Sequence, residues 1–368
     1  MSEQLLPISA QDVMEAASRI KGAVNRTPTN HSKTLSDITG ASVYLKFEIF
    51  QFTAAYKERG ALNRLLDLPK NTKGVIAASA GNHAQGISYH AGRLNIPATI
   101  VMPEGTPFNK IKRTEELGAH VVLHGPDFET ATQYAYEMAD AENLTFIHPF
   151  DDARVMAGQG TVGLEMLEDV KDLETLIVPI GGGGLISGIA TIAKHINPNI
   201  RIVGVQTEAF PAMKEAIDGS SLKGDNISIA EGIAVNQPGK KTRNVVRKLV
   251  DEIVTVSERK IEAAIIAIME IEKVIVEGAG AIGLGALMQH PDIFKGQKVG
   301  IVLSGGNIDS RMLANAIMRG MARDGRLARL RITMMDQPGA LAKVTQLVAK
   351  VGVNVIEMRH PGNLGLYP

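Results

Sequence analysis

The chain has 368 residues with 39 basic and 39 acidic side chains, 45% hydrophobic and 21% charged, which at ~150 residues per domain is globular material for about two domains and core enough to need no disulfide or structural metal. It has no cysteine, and that excludes disulfide frameworks, thiolate nucleophiles and Cys-ligated zinc. Zero formal charge argues against nucleic acid, no apolar run reaches the about 18 residues of a membrane helix, and residues 1–21 lack the basic-then-apolar layout of a secretion signal, so a soluble cytoplasmic protein without nucleic-acid or membrane partners is expected. Helical spacing opens the chain at 12–24, where Ser9 stands three residues before Asp12 as in a capping box. β-rich apolar runs follow at 43–47 and 74–78, the second leading into a helix at 82–95. Strand 98–102, helix 108–117, strand 120–123 and helix 129–142 continue the alternation. After them come strand 176–180, helix 185–195, strand 201–206, helix 258–272, strand 299–303 and helix 309–323. Several runs are apolar almost throughout, as in parallel strands buried on both faces. Alternation of this kind predicts an α/β fold of open parallel sheets flanked by helices, in which ligands sit at the carboxyl ends of strands. The pattern changes near Asp324-Gly325, and Arg323, Arg326, Arg329 and Arg331 read as a solvated inter-domain segment. Beyond them a strand at 328–335, the turn Asp336-Gln337-Pro338-Gly339, a helix at 340–350 and a strand at 354–358 open a separate small module, and 360–368 has the composition of a loop.

Three strand ends carry residues suited to ligand binding. Pro179-Ile180-Gly181-Gly182-Gly183-Gly184-Leu185 runs a buried strand through four glycines into an apolar helix. Glycine lets the backbone turn sharply and approach a ligand, and free N–H groups at a helix start attract an anion. A phosphate is the ligand implied, though neither G-x-G-x-x-G nor a P-loop ending in Gly-Lys is spelled here; a hinge is the plain alternative. Ser79-Ala80-Gly81-Asn82-His83 follows the run at 74–78 and suits a carboxylate, or simply caps a helix. Ser304-Gly305-Gly306-Asn307 ends the run at 299–303, and its serine serves either a ligand nitrogen or a cap. Lys57, in Ala55-Tyr56-Lys57-Glu58-Arg59-Gly60-Ala61, reads alone as a surface lysine. A helix start disfavours its positive charge, which helps if a neutral amine is needed.

Together and in this order, these blocks resemble the fold-type II pyridoxal-phosphate enzymes, and within them the threonine/serine dehydratases (threonine ammonia-lyases). Lys46-Phe47-Glu48 and Glu277-Gly278-Ala279-Gly280-Ala281 add to the resemblance, which runs from about Thr27 to Met321. It implies a two-lobed, tryptophan synthase β-like catalytic domain over 1–325, with a smaller lobe at about 50–150. It implies that Lys57 carries pyridoxal 5'-phosphate, with Tyr56 behind the ring, and that Gly181, Gly182, Gly183, Gly184 and Leu185 cradle its phosphate. Asn82 then contacts the cofactor hydroxyl and Ser304 the ring nitrogen, while Ser79, Ala80, Gly81, Asn82 and His83 receive the substrate carboxylate. The family's usual Ser-Phe before the lysine is Ala55-Tyr56 here, and Gly278 stands where a proline is frequent.

The implied chemistry is loss of water from a small hydroxy-amino acid. The cofactor supplies the electron sink; the Lys57 amine, displaced by the substrate's, takes the Cα proton; the product hydrolyses to a 2-oxo acid and ammonia. L-Threonine, and L-serine beside it, is the expected substrate, which suggests isoleucine biosynthesis, and relatives are homodimers or homotetramers. The rivals on the same fold are an amino-acid racemase and a threo-3-hydroxyaspartate dehydratase; a catalytically silent binding protein is the rival from another class. Serine racemases similar to this chain place a serine where Ala80 stands, so little racemisation is expected. Glu208 matches the first carboxylate of a divalent-metal site found in some relatives, but Lys214 takes the place of the second and is expected to pair with Glu208 instead. The piece from Leu330 resembles the start of an ACT regulatory domain, a βαββαβ unit of about twice this length. Residues 326–368 are therefore expected to be a partial segment with unpaired strand edges, indifferent to isoleucine and valine and dispensable for turnover.

Overall fold

A computed structural model describes residues 6–221, 227–335 and 337–359. In chain order the elements begin α1 (Ala10–Ile20), β1 (Thr29–His31), α2 (Lys33–Thr39), β2 (Ser42–Lys46), α3 (Lys57–Leu66), β3 (Val75–Ala78), α4 (Asn82–Arg93), β4 (Ala98–Met102) and α5 (Phe108–Glu116). They continue β5 (His120–Leu123), α6 (Phe128–Glu142), β6 (Thr145–Phe146), α7 (Ala153–Asp169), β7 (Thr175–Pro179), α8 (Gly184–Ile196), β8 (Arg201–Thr207) and α9 (Ala212–Asp218). The last are α10 (Lys240–Leu249), β9 (Glu252–Val256), α11 (Glu258–Glu272), α12 (Gly278–Gln289), β10 (Lys298–Val302), α13 (Ser310–Arg323) and α14 (Ala340–Lys350). The chain divides into two compact units, Met1–Gly320 and Met321–Pro368.

The first unit holds two sheets. The larger has strand order β1-β2-β10-β7-β8-β9 and the smaller β5-β4-β3-β6. Every pairing is parallel except that of the edge strand β1 with β2. The strands are apolar because helices cover both faces. On one side of the larger sheet α11 and α12 bury Ile265, Ile268, Ile282 and Leu284 against Ile177, Val203 and Ile301. On the other, α7 and α8 bury Met166, Ile186 and Ile189 against Leu176 and Val178. In the smaller sheet α4 and α6 play the same parts. α1 starts where the spacing of Ser9 and Asp12 predicts: each side chain bonds the other's backbone N–H.

Three helices near the site approach backbone to backbone. A Cβ on Gly158 of α7 would lie 2.6 Å from the Cα of Gly60 in α3, and one on Gly160 would lie 2.8 Å from the Gly188 carbonyl in α8. Glycine at these crossings sets the interhelical distance. A buried ionic cluster fixes α3 as well. The Arg59 guanidinium donates to Glu48 at 2.7 and 2.8 Å and to Glu165 at 2.7 and 2.8 Å, and Lys46 donates to Glu165 at 2.6 Å. Such a cluster holds only because its charges satisfy one another, and Arg59 lies two residues beyond Lys57.

In the second unit α14 is present, but the strands expected at 328–335 and 354–358 are not formed. A strand exists only by pairing, and neither segment has a partner among the described residues. Asp336 of the expected turn and the tail at 360–368 lie outside the described residues.

Candidate active site

The three ligand-type blocks all follow the carboxyl ends of parallel strands. The tetraglycine loop follows β7 and Ser304 follows β10, and these strands are neighbours. Ser79 follows β3, which neighbours β6, and β6 leads to His148-Pro149-Phe150-Asp151. Backbone bonds join Lys57 to the Ser304 block: Tyr56 N–H donates to Ser304 O at 3.1 Å and Gly306 N–H to Ala54 O at 2.9 Å.

Lys57 is the first residue of α3, and its half-buried amine donates to Pro149 O at 2.7 Å. Burial lowers its pKa to about 8, against a partial restoring pull from Glu277. Desolvation of the ammonium is thus the leading cause, where the sequence suggested the helix dipole. The half-buried Tyr56 packs its ring against the larger sheet's core, and burial, then Glu277, holds its phenol protonated.

The tetraglycine loop is shaped on its protein side by Phe150, Met213 and Thr242. Gly183 has φ +95°, the left-handed conformation that favours glycine. A Cβ on Gly182 would fall on the Phe150 ring, and one on Gly184 would sit 3.0 Å from the Phe150 Cα. Thr242 Oγ1 donates to Gly182 O at 2.6 Å. Asp151 in turn caps α10, accepting from the N–H groups of Lys240, Lys241 and Thr242 at 2.8–3.1 Å. Gly184 opens α8, whose first N–H groups have no intrahelical acceptor.

At the second block Ser79 does act as a cap. Its Oγ accepts from the N–H of Gly81 at 3.2 Å and of Ala84 at 3.3 Å. The N–H groups of Asn82 and His83 at the start of α4 keep no backbone acceptor among the described residues. Ala80 packs its methyl against the smaller sheet's core. The buried His83 ring turns to the Ile147 carbonyl at 3.1 Å, with Nδ1 unpartnered. Burial and the nearby Lys57 push its pKa down to about 3, so the ring is neutral.

Several contributors were given no role from the sequence, two of them, Glu277 and Asn307, although they stand in blocks that carry the resemblance. Glu277 caps nothing, yet its carboxylate accepts from Asn82 Nδ2 at 2.7 Å. Burial raises its pKa to about 7, against the Asn82 bond and the cations Lys110 and Lys57, with Glu231 adding to the rise. A lone carboxylate heading twelve uncharged residues of α12 was the available signal. Asn307 is a second, and Phe150, Asp151 and Thr242 left no trace in composition.

Against this geometry, the family described as "Pyridoxal-phosphate dependent enzyme" matches residues 20–305. The chain belongs to that family. This pyridoxal-phosphate dependent enzyme is 44% identical over 363 residues to an L-threonine ammonia-lyase of Thermotoga maritima, across 96% of this chain and 89% of that one. Among solved structures it is similar to a processed threonine deaminase isoform from Solanum lycopersicum, with a TM-score of 0.78, 35% identity, and coverage of 83% of this chain and 86% of that one. Maize serine racemase is similar as well, with a TM-score of 0.79, 34% identity, and coverage of 87% and 99%. The residues present fit the cofactor: a loop whose glycines leave no room for a Cβ on its protein side and present free N–H groups, and an amine whose lowered pKa favours its neutral, nucleophilic form. Ser304 is buried just past the end of β10.

The carboxylate-and-lysine pairing expected at Glu208 is corrected. Lys214 Nζ bonds Asp218 at 3.0 Å, one helical turn on, while Glu208 accepts from Gln289 at 3.1 Å. The i,i+4 partner on α9 is simply nearer. With a cation at position 214, one carboxylate makes a poor cage for a divalent ion. Treatment with EDTA is expected to leave turnover unchanged, in an assay run with and without added Mg²⁺; loss on chelation and recovery with Mg²⁺ would contradict this.

Proposed function

We propose that this enzyme removes water from L-threonine, and from L-serine, and that the enamine released takes up water again to give 2-oxobutanoate or pyruvate and ammonia. The observation that carries the reading is the Lys57 amine, its pKa lowered by burial, beside a glycine-walled anion cradle. Bound pyridoxal phosphate supplies the sink for the electrons left at Cα. Lys57 holds the cofactor and then accepts the Cα proton, a task suited to a pKa near 8. Gly181, Gly182, Gly183, Gly184 and Leu185 bind the phosphate through backbone N–H groups at the head of α8. Ser304 takes the ring nitrogen, Asn82 the cofactor hydroxyl, and the block from Ser79 through His83 the substrate carboxylate, with His83 contributing its N–H rather than its ring. The L-threonine ammonia-lyase and threonine deaminase named above support the reaction.

The test is release of 2-oxo acid from L-threonine, L-serine and threo-3-hydroxyaspartate under steady-state conditions. Threonine is expected to have the highest kcat/KM; a preference for hydroxyaspartate, or no oxo acid from any of them, would overturn the assignment. Racemisation needs an acid or base opposite Lys57, and the Ala80 methyl offers no transferable proton. D-Serine from L-serine is therefore expected to be minor by chiral chromatography and to increase in Ala80→Ser. A rate of D-product rivalling oxo acid in the unaltered enzyme would contradict this.

The catalytic domain is taken to end at 325, with the smaller lobe at about 50–150. No described helix is long and apolar enough to cross a membrane, in keeping with a cytoplasmic enzyme. Exposed Phe50 and Phe52 support assembly into a homodimer or homotetramer.

A further inference from the structure

We propose that Asn307 and Glu277 are positioning residues that fix the amide of Asn82 in one orientation. A backbone carbonyl can only accept. Asn307 Nδ2 donates to Thr53 O at 2.7 Å, so its nitrogen must face that side. The same nitrogen lies 2.8 Å from Asn82 Oδ1, which spends its second hydrogen. Asn82 must therefore present its oxygen to Asn307 and its nitrogen to Glu277 Oε1, at 2.7 Å. Turning the Asn82 amide over would set nitrogen against nitrogen at one end and oxygen against oxygen at the other. Each Asn supplies two hydrogens. Asn307 has used both, whereas Asn82 has one left.

The fold is built around this relay. Glu277 N–H donates to Gly305 O at 3.0 Å, tying α12 to the block that holds Asn307. A Cβ on Gly305 would fall on the Glu277 carboxylate and lie 3.0 Å from Asn82 Nδ2, and one on Gly232 would lie 3.2 Å from Glu277 Oε1. Both glycines therefore leave room for the Asn82–Glu277 bond. Glu277 also faces Lys57, Lys110, Glu231 and Tyr56. Its Oε1 accepts from Asn82 whether or not the other oxygen carries a proton.

The consequence rests on the placement of Asn82 beside the cofactor hydroxyl proposed above. The unspent Asn82 N–H is then a donor of fixed direction, suited to an ionised hydroxyl. Substituting Asn307→Asp replaces the donor with acceptors and removes the constraint. Two properties of the holoenzyme report on it besides turnover: the cofactor dissociation constant and the pH titration of the visible absorption band. Asn307→Asp is expected to weaken cofactor binding about tenfold, the worth of one charge-assisted hydrogen bond, and to shift the titration upward by about one unit.

The deciding comparison is with Asn82→Ala, alone and combined. If Asn307 acts through Asn82, the double variant matches Asn82→Ala in both readouts. Equal, additive losses from Asn307→Asp in the presence and absence of the Asn82 amide would overturn the positioning role. Should Asn82→Ala leave both readouts unchanged, the placement of Asn82 beside the cofactor fails, and the inference with it. Glu277 gives a second line if Asn307→Asp does not fold. Glu277→Gln keeps an acceptor and is expected to retain the spectrum, whereas Glu277→Ala is expected to shift it as Asn82→Ala does; identical behaviour of the two Glu277 variants would count against the relay.

Discussion

Lys57→Ala is expected to reduce turnover by about 10³-fold or more, because the loss of a positioned general base alone costs about 10²–10⁴-fold and the same side chain holds the cofactor. The fold should survive. The amine's hydrogen bond is to the Pro149 carbonyl, and α3 is held by Arg59, Gly60 and the core behind them. Lys57→Arg should fail as completely, since a guanidinium stays protonated. Steady-state oxo-acid release together with thermal melting separates loss of chemistry from loss of fold. A variant keeping a tenth of the parent kcat would contradict the role. The pH behaviour of the cofactor-free protein follows from the same burial. Only the neutral amine attacks a carbonyl, so capture of pyridoxal phosphate should accelerate as pH rises through about 8. The linkage has two signs. Lys57, with its pKa lowered from 10.5, costs stability below about 8, and that cost disappears as pH climbs to 10.5. Glu277, with its pKa raised from 4.5, favours the folded state at low pH, and stability falls as pH rises from 4.5 through about 7.

Gly183→Ala should be the next most damaging single change. Its φ of +95° costs any side chain backbone energy, of order 1–2 kcal/mol. The added Cβ would also lie 2.6 Å from Met213 Cε and 2.9 Å from Thr242 Cβ. Met213 can yield, but Thr242 holds the Gly182 carbonyl, so displacing it moves the cradle. Cofactor affinity is expected to fall by about 10²-fold, equivalent to roughly two of the phosphate-directed hydrogen bonds. Equilibrium dialysis of the cofactor reads this directly. A Gly183→Ala protein that purifies with a full complement of cofactor would place the phosphate elsewhere.

The parallel sheets were legible because buried strands such as 75–78 and 98–102 are short, apolar and punctuated by glycine, serine or proline. α7 and α12 were not, since α12 is buried almost throughout, α7 over most of its length, and glycine-rich helices of this kind lose the amphipathic period. The strands expected at 328–335 and 354–358 show the opposite failure: alternation alone supplies no pairing partner. At the site, glycine and serine punctuation exposed the strand ends, and Lys57 became visible through its motif rather than its local chemistry. Which partner each polar side chain takes was hidden. Ser79 spends its oxygen on a helix cap, His83 turns its ring to Ile147, and Lys214 pairs within its own helix. Residues such as Thr242 and Asp151 act across long sequence separations, so only the folded chain brings them to the loop.

The most direct measurement is to reduce the holoenzyme with borohydride, which fixes the cofactor to the amine that carries it, and then to map the labelled peptide. One pyridoxyl group on the peptide containing Lys57 is expected, with loss of the visible absorption band and of activity in step. A label on any other lysine, such as Lys110, which like Lys57 acts on Glu277, would contradict the account.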